Sequence, residues 1–210
     1  MIPVLYEDDD VLAVDKPAGI ASIPERDHAK DTVLSLLEKQ TGRKLFVVHR
    51  LDKEVDGVML FARTAEAHRY LNEEFFNRNV VKTYLALVHG TVQEDKGEID
   101  RPIRQFGSGR MGVDEKKGKP SLTKYEVVKR FNDRTLVRAY PVTGRRHQIR
   151  VHLYHIGHPI VGDQHYGDKN VQKNFPRLML HAERIQFKNS EGKEIVVESP
   201  SECISCALPG

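Results

Sequence analysis

The segment from residue 47 to residue 62 places a cluster of polar groups between two apolar runs. The first run ends in Val47-Val48, the cluster is His49-Arg50-Leu51-Asp52, and the second run spans residues 57–62. Such runs predict two buried strands. A carboxylate between them is costly to ionise unless a cation or hydrogen-bond donors hold it. Asp52 therefore indicates either a structural ion pair or a nucleophile.

The charge of the chain is distributed unevenly. Its 210 residues suffice for one domain with a sizeable core, and we expect a single domain over residues 1–210. The net charge is only +3, but residues 101–150 hold 14 basic and 4 acidic side chains. Such an excess can attract a polyanion such as nucleic acid. A merely solvated basic face is the alternative, and charge alone leaves both open.

Three observations favour a soluble, intracellular and specifically cytoplasmic protein. No apolar run approaches the roughly 20 residues that span a membrane, so we expect no membrane partner. The first residues lead directly into an acidic stretch and do not form a secretory signal. The only cysteines, Cys203 and Cys206, form one C-x-x-C pair without a second, in a short tail of about residues 200–210. We interpret them as incidental to function.

Helical and alternating patterns follow one another irregularly along the chain, and several strand candidates form hairpins. Thr64 is a good helix N-cap, and Gly42 and Gly157 are plausible helix ends. The predicted helices span residues 32–40, 64–79 and 147–156. The predicted strands span residues 5–6, 11–14, 80–88, 125–131, 135–140, 179–187 and 194–198. Residues 91–120 read as exposed loops. The pattern predicts an α+β fold around a mixed, largely antiparallel sheet with flanking helices.

Residues 143–152 offer cations that could pair with Asp52. They include three arginines and two histidines, and they run into the helix predicted from residue 147. A guanidinium can hold a carboxylate in two-pronged geometry and keep it ionised. His152 shares an apolar helical face with Ile149 and Leu153, so we favour a satisfied core histidine there over a functional one.

The strand predicted over residues 80–88 contains Lys82-Thr83-Tyr84. Alternation sends Tyr84 to the more polar face, together with Val80, Lys82 and Ala86, and sends Val81, Thr83, Leu85 and Leu87 to the apolar face. A tyrosine on a polar sheet face can stack on a base or act through its phenol. An ordinary surface tyrosine is the equal alternative.

Six histidines between residues 147 and 181 raise the possibility of a metal site. None of their spacings gives H-E-x-x-H, and neither Asp163 nor Asp168 completes a ligand pattern. A metalloenzyme is therefore the weaker alternative.

Six segments follow one another in a recognisable order and spacing. They are Val14-Asp15-Lys16-Pro17-Ala18-Gly19, His49-Arg50-Leu51-Asp52 with Gly57, Lys82-Thr83-Tyr84, Thr143 to His152, Gly157 to Asp163, and Leu178 to Ala182. Together they resemble one family, the RluA-type RNA pseudouridine synthases, from about residue 5 to residue 187. The chain departs from the family pattern at Val55-Asp56, where Thr-Ser or Thr-Asp usually precedes the motif glycine. We expect no N-terminal S4-like RNA-binding module of the kind that many relatives carry.

The resemblance implies a single pseudouridine synthase catalytic domain that isomerises uridine to pseudouridine in RNA, without cofactor or metal. Asp52 is then the nucleophile; attack on the base, attack on the ribose and assistance of elimination stay open. By the same analogy Arg150 pairs with Asp52 and orients it. Tyr84 stacks on the flipped uracil or helps to move a ribose proton.

The resemblance also implies an RNA partner, either ribosomal or transfer RNA, whose target uridine lies in a loop where base flipping costs less. Arg50 would fill the space left by the flipped base, and Leu180 would pack against the flipped base. The expected RNA-binding residues are His49, Arg50, Arg145, Arg146, His147 and Leu180. We expect a monomer with no obligate protein partner. A catalytically inert RNA-binding protein on the same fold is the alternative.

Overall fold

The computed structural model describes residues 1–24, 31–200 and 204, so Cys203 and Cys206 lie outside the described residues. Four helices are found in this part of the chain: α1 (Val33–Thr41), α2 (Ala65–Phe76), α3 (Gln148–His155) and α4 (Lys169–Gln172). The strands are β1 (Val4–Glu7), β2 (Val11–Lys16), β3 (Phe46–Val47), β4 (Asp56–Ala62), β5 (Val81–His89), β6 (Lys96–Asp100), β7 (Ile103–Gln105), β8 (Met111–Val113), β9 (Leu122–Arg130), β10 (Arg134–Pro141), β11 (Leu180–Lys188) and β12 (Glu194–Glu198).

The chain divides into two compact units, of which the first comprises Met1–Lys82 and Ala182–Pro200. Its strands follow the order β1-β2-β4-β11; β3 also pairs with β4, and β12 with β11. The pairs β1–β2, β2–β4, β3–β4 and β11–β12 are antiparallel. Every apolar side chain of β2 and β4 is buried, because α2 and neighbouring chain segments cover these strands. This rigid pair of strands supports the loop of residues 48–55 that carries Asp52.

The second unit is built on Thr83–His181. Within it, β5, β10, β9 and β6 pair in that order, all antiparallel. β7 and β8 form a separate antiparallel hairpin. Helix α3 packs against β8, β9 and β10. The sheet therefore supports α3, which carries Arg150, and the segment just before it, which carries Arg145 and Arg146.

The predicted α+β class and its largely antiparallel sheet are confirmed. Thr32 and Thr64 cap α1 and α2 with side-chain hydrogen bonds, and Gly42 ends α1 in the left-handed conformation. Helix α2 is three residues shorter than predicted: Asn77 caps it and Arg78 adopts a positive φ of 63°. Residues 91–120, predicted as loops, contain the short strands β6, β7 and β8. Their glycines and charges mask an alternation that is only three to five residues long.

The predicted faces of β5 are correct in part. Thr83, Leu85 and Leu87 are buried, as expected for the apolar face. Val81 is 49% exposed, because it is the first residue of the strand, and Ala86 of the other face is buried.

The prediction of one domain over residues 1–210 stays a prediction. No helix among the described residues is long and apolar enough to cross a membrane.

Candidate active site

In the first unit, Asp52 lies in the loop between β3 and β4 and is partly buried. Its carbonyl oxygen accepts a hydrogen bond from the Val55 amide at 3.1 Å, which closes a tight turn. The carbonyl of Lys53 accepts a hydrogen bond from the Gly19 amide at 2.8 Å. The backbone around Asp52 is therefore held both by its own turn and by the segment that follows β2.

A buried lysine fixes the downstream half of this loop. Lys16 is fully buried, and its ammonium group donates to the carbonyls of Pro17 at 2.9 Å, Lys53 at 3.2 Å and Val55 at 2.6 Å. A buried cation is costly unless its donors are used. These bonds thus offset the desolvation of Lys16 and tie it to the loop that carries Asp52.

A serine fixes the upstream half. The Ser22 hydroxyl donates to the Leu51 carbonyl at 2.7 Å and accepts from the Leu51 amide at 3.2 Å. Asp52 thus lies between two anchored positions, Leu51 and Lys53. These roles of Lys16 and Ser22 were not predicted from the sequence. The signal for Lys16 was its place in the Lys16-Pro17-Ala18-Gly19 turn, whereas Ser22 carried none.

His49 is integrated into the first unit by contacts on its ring. Its Nε2 accepts a hydrogen bond from the Leu60 amide at 3.0 Å, and its ring stacks on Phe75 with centroids 5.1 Å apart. Burial, aided by the nearby Lys82 ammonium, lowers the pKa of His49 to about 3. The imidazole is therefore neutral at neutral pH. Its hydrogen bond with the Leu60 amide connects the start of the loop to β4. The adjacent Arg50 is exposed.

Gly57 begins the buried part of β4 in a conformation that only glycine adopts readily. Its φ is +107°, and a Cβ placed there would lie 2.3 Å from the carbonyl oxygen of Ala182. The glycine at position 57 is therefore required by its backbone conformation and by the close approach of β4 to β11.

In the second unit, Arg150 projects from α3 into the interior and is 1% exposed. Its Nε donates to Asp163 Oδ2 and its Nη2 to Asp163 Oδ1, both at 2.8 Å. Nη2 also lies 3.2 Å from Nδ1 of His165. The guanidinium is thus fixed in its plane by a two-pronged ion pair within its own unit. The pairing of Arg150 with Asp52 stays a prediction.

Two further polar side chains of α3 attach the helix to β9. Gln148 Nε2 donates to the Leu122 carbonyl and to Thr123 Oγ1, each at 3.0 Å. His152 is fully buried, with Nδ1 2.8 Å from Thr123 Oγ1 and Nε2 2.9 Å from the Arg101 carbonyl. Burial also lowers the pKa of His152. The prediction of a satisfied core histidine is confirmed.

The remaining predicted site residues of the second unit differ in exposure. Arg145 and Arg146 are exposed just before α3, whereas His147 is partly buried with Nδ1 2.9 Å from the Tyr166 hydroxyl. Tyr84 is partly buried in β5 opposite Ala139 of β10. Leu180 is only 3% exposed. Their catalytic or RNA-binding roles stay predictions.

Four of the histidines of residues 147–181, His147, His152, His158 and His165, make hydrogen bonds or ring contacts, such as the edge-on contact of His147 with His165 at 5.8 Å. Within the described ranges, no group of three or more His, Cys, Asp or Glu side chains could hold a metal ion. Asp163, which fitted no ligand pattern in the sequence, is instead the partner of Arg150.

Comparisons with known proteins agree with these motifs. A model of the RNA pseudouridylate synthase family matches residues 10–155. The Escherichia coli K12 protein named dual-specificity RNA pseudouridine synthase RluA is 36% identical over 204 residues, covering 95% of this chain and 93% of its own. The protein of the same name from Vibrio vulnificus is 40% identical, covering 88% of this chain and 76% of its own.

A solved structure supports the same assignment. The human RNA pseudouridylate synthase domain containing 1 matches with a TM-score of 0.82 and 30% identity, over 95% of this chain and 83% of its own. The fold and these matches define the class of protein, an enzyme that isomerises uridine in RNA to pseudouridine. The chain belongs to the RNA pseudouridylate synthase family and is of the RluA type.

Proposed function

We propose that this enzyme modifies uridines in loops of both ribosomal and transfer RNA. The observation that carries the proposal is the match, at 36–40% identity, to enzymes named dual-specificity, of whose length 76–93% is covered. A loop substrate follows from the chemistry. The target base must leave its stack to react, and unpaired nucleotides lower the cost of flipping.

Asp52 is the proposed nucleophile. Isomerisation breaks the C–N glycosidic bond, turns the base and forms a C–C bond, with no net redox change or hydrolysis. A carboxylate suits this chemistry when it is presented in a fixed position. The anchoring of Leu51 by Ser22 and of Lys53 by Lys16 supports this role.

Arg150 is the proposed partner of Asp52, and Tyr84 is proposed to stack on the uracil or to help move a ribose proton. The burial and two-pronged pairing of Arg150 support its role, because a guanidinium fixed in its plane can orient a carboxylate without reorganising. Tyr84 is partly exposed on β5, which supports contact with a base.

The proposed RNA-binding residues are Arg50, Arg145, Arg146, His147, Leu180 and His49. Three of these are exposed arginines, which supports contacts with phosphates. His49 and Leu180 contribute through the shape of the site in this proposal, since Leu180 is buried and His49 is partly buried and neutral. We also propose that the protein acts as a monomer in the cytoplasm; light scattering with and without RNA tests the oligomeric state.

The sharpest test of the nucleophile is Asp52→Asn, assayed by tritium release from RNA stem–loops that contain 5-tritiated uridine. We expect a loss of at least about 1,000-fold in rate with RNA binding retained. Asp9→Asn, an exposed carboxylate in the turn between β1 and β2, is the matched control and should keep full activity. Full activity of Asp52→Asn would remove this residue from the mechanism.

Pseudouridine mapping of cellular RNA with and without the gene tests the substrate. Loss of sites in both ribosomal and transfer RNA supports dual specificity, whereas loss in one class alone contradicts it. A strain that carries Asp52→Asn in place of the wild-type gene is the control, because it separates loss of catalysis from loss of the protein.

A further inference from the structure

The ion pair of Arg150 and Asp163 is almost completely buried. The side chains are 1% and 0% exposed, and two parallel hydrogen bonds of 2.8 Å join them. Asp163 occupies the edge of the guanidinium formed by Nε and Nη2. A second carboxylate that pairs with Arg150 must therefore approach from the Nη1 side.

The Asp163 carboxylate is itself held by the backbone. Its Oδ1 accepts the amides of His165 at 2.9 Å and Tyr166 at 3.2 Å, in addition to the Arg150 guanidinium. The ring of Tyr166 also contacts the Arg150 guanidinium, which lies 5.4 Å from the ring centroid. Tyr166 is itself only 1% exposed. Asp163 is thus fixed by its own turn and shielded from water.

The loop that carries Asp163 is fixed in turn by Gln172 of α4, which is 1% exposed. Its Oε1 accepts the Gly162 amide at 2.7 Å, and its Nε2 donates to the Ile160 carbonyl at 3.1 Å. Gly162 has a φ of +78°, and a Cβ there would collide with the carbonyl of Arg177. The two hydrogen bonds of Gln172 and the packing of Gly162 hold this irregular loop in one conformation. They therefore fix the position of the Asp163 side chain.

We propose that Asp163 is a positioning residue for the isomerisation, which holds the Arg150 guanidinium in the orientation that presents its Nη1 side to the nucleophile. The inference rests on the proposed function, in which Arg150 pairs with Asp52. An arginine side chain has several rotatable bonds, and displacement of a catalytic group by about 1 Å can cost about 100-fold in rate. A two-pronged clamp removes that freedom before RNA binds.

The test is the steady-state kinetics of Asp163→Asn, which keeps the size of the side chain and removes its charge. We expect kcat to fall at least about 30-fold, with KM for the stem–loop within about threefold of wild type. Asp95→Asn is the matched control. Asp95 pairs with Arg130 at 2.7 Å in the same unit, but its side chain is 82% exposed. We expect this control to keep wild-type kcat and KM.

A double-mutant cycle with Arg150→Lys separates positioning from a general structural effect. If Asp163 acts through Arg150, the double variant has a kcat within about threefold of Arg150→Lys alone, because coupled residues are not additive. Multiplicative effects of the two substitutions overturn the inference.

Two outcomes distinguish this inference from the proposed function. Wild-type kcat in Asp163→Asn together with an inactive Asp52→Asn overturns the positioning role and leaves the nucleophile in place. An active Asp52→Asn overturns the proposed function itself.

If Asp163→Asn does not yield folded protein, the wild-type enzyme still tests the clamp. With ¹⁵N-labelled arginine, the Nε–H signal of Arg150 is identified by its absence in Arg150→Lys. We expect this proton to exchange with solvent at least about 100-fold more slowly than those of exposed arginines. Equal exchange rates overturn the inference.

Discussion

The ammonium nitrogen of Lys16 lies 2.6 Å from the carbonyl oxygen of Val55, three residues after Asp52 in the sequence. This bond joins the end of β2 to the loop that carries the proposed nucleophile. The apolar side chains of β2 and β4, the two strands that this bond adjoins, are buried, so the lysine connects the loop of Asp52 to the core. The polar residues around Asp52 thus form two groups, those that shape the loop and those proposed to act on RNA.

Lys16→Met should both destabilise the protein and slow the reaction. The substitution keeps the length of the side chain but removes the ammonium donor from the carbonyls of Pro17, Lys53 and Val55. We expect a loss of about 3 kcal/mol in the free energy of unfolding by urea. We also expect the rate of tritium release to fall at least about tenfold, because the Asp52 carboxylate would be displaced. Lys39→Met is the control: Lys39 is 70% exposed and paired with Asp31, so its loss should cost under about 0.5 kcal/mol. Equal stability of the two variants would contradict a structural role for Lys16.

Gly57→Ala should prevent normal folding of the first unit. The added Cβ meets backbone atoms of Ala182, which cannot move without disrupting β11. We expect a loss of more than about 3 kcal/mol, measured by thermal and urea unfolding. Gly192→Ala separates the collision from backbone strain, because Gly192 also has a positive φ of 79° but no atom within 4 Å of its Cβ position. That control should cost about 1 kcal/mol; a similar cost at both glycines would show that close approach to Ala182 is unimportant.

Local patterns were sufficient to predict the elements that have strong periodicity or a distinct cap. The helix that begins after Thr64 and the hairpins around residues 7–10 and 189–192 are examples. The short strands β7 and β8 were missed because three residues are too few to show alternation.

The individual site motifs were visible in the sequence, but their supporting contacts were not. Lys16 bonds to a carbonyl 39 positions away, and Asp163 to a guanidinium 13 positions away across an irregular loop. Such pairings depend on tertiary packing rather than on spacing. His152 was interpreted correctly because its helical face is apolar, and a buried imidazole there needs hydrogen-bond partners.

The neutral state of His49 predicts a specific dependence of stability on pH. The unfolded chain binds a proton at this residue near pH 6.5, whereas the pKa of His49 in the folded protein is lowered to about 3. Stability is therefore fully present above about pH 6.5 and decreases as the pH falls towards 3, by at most about 1.4 kcal/mol per pH unit. Between pH 7.5 and 5.5, wild type should lose about 1 kcal/mol more than His49→Gln in urea unfolding. The lowered pKa of His152 acts in the same direction in both proteins and cancels in this difference. Parallel pH curves would show that the pKa of His49 is not lowered in the folded protein.

Arg146→Ala tests whether the exposed arginines before α3 contact phosphates. Arg146 is exposed, so its removal should leave the stability of the protein unchanged. Each phosphate contact on single-stranded RNA contributes about 0.7 to the slope of log Kd against log salt concentration. In an Asp52→Asn background, which permits binding without turnover, we expect Arg146→Ala to lower that slope by about 0.7 and to weaken binding of different loop sequences to a similar extent. Arg69→Ala on α2 is the control, because Arg69 is 75% exposed and already paired with Glu66. An unchanged salt slope would contradict a phosphate contact, and a loss confined to one loop sequence would point to contact with a base instead.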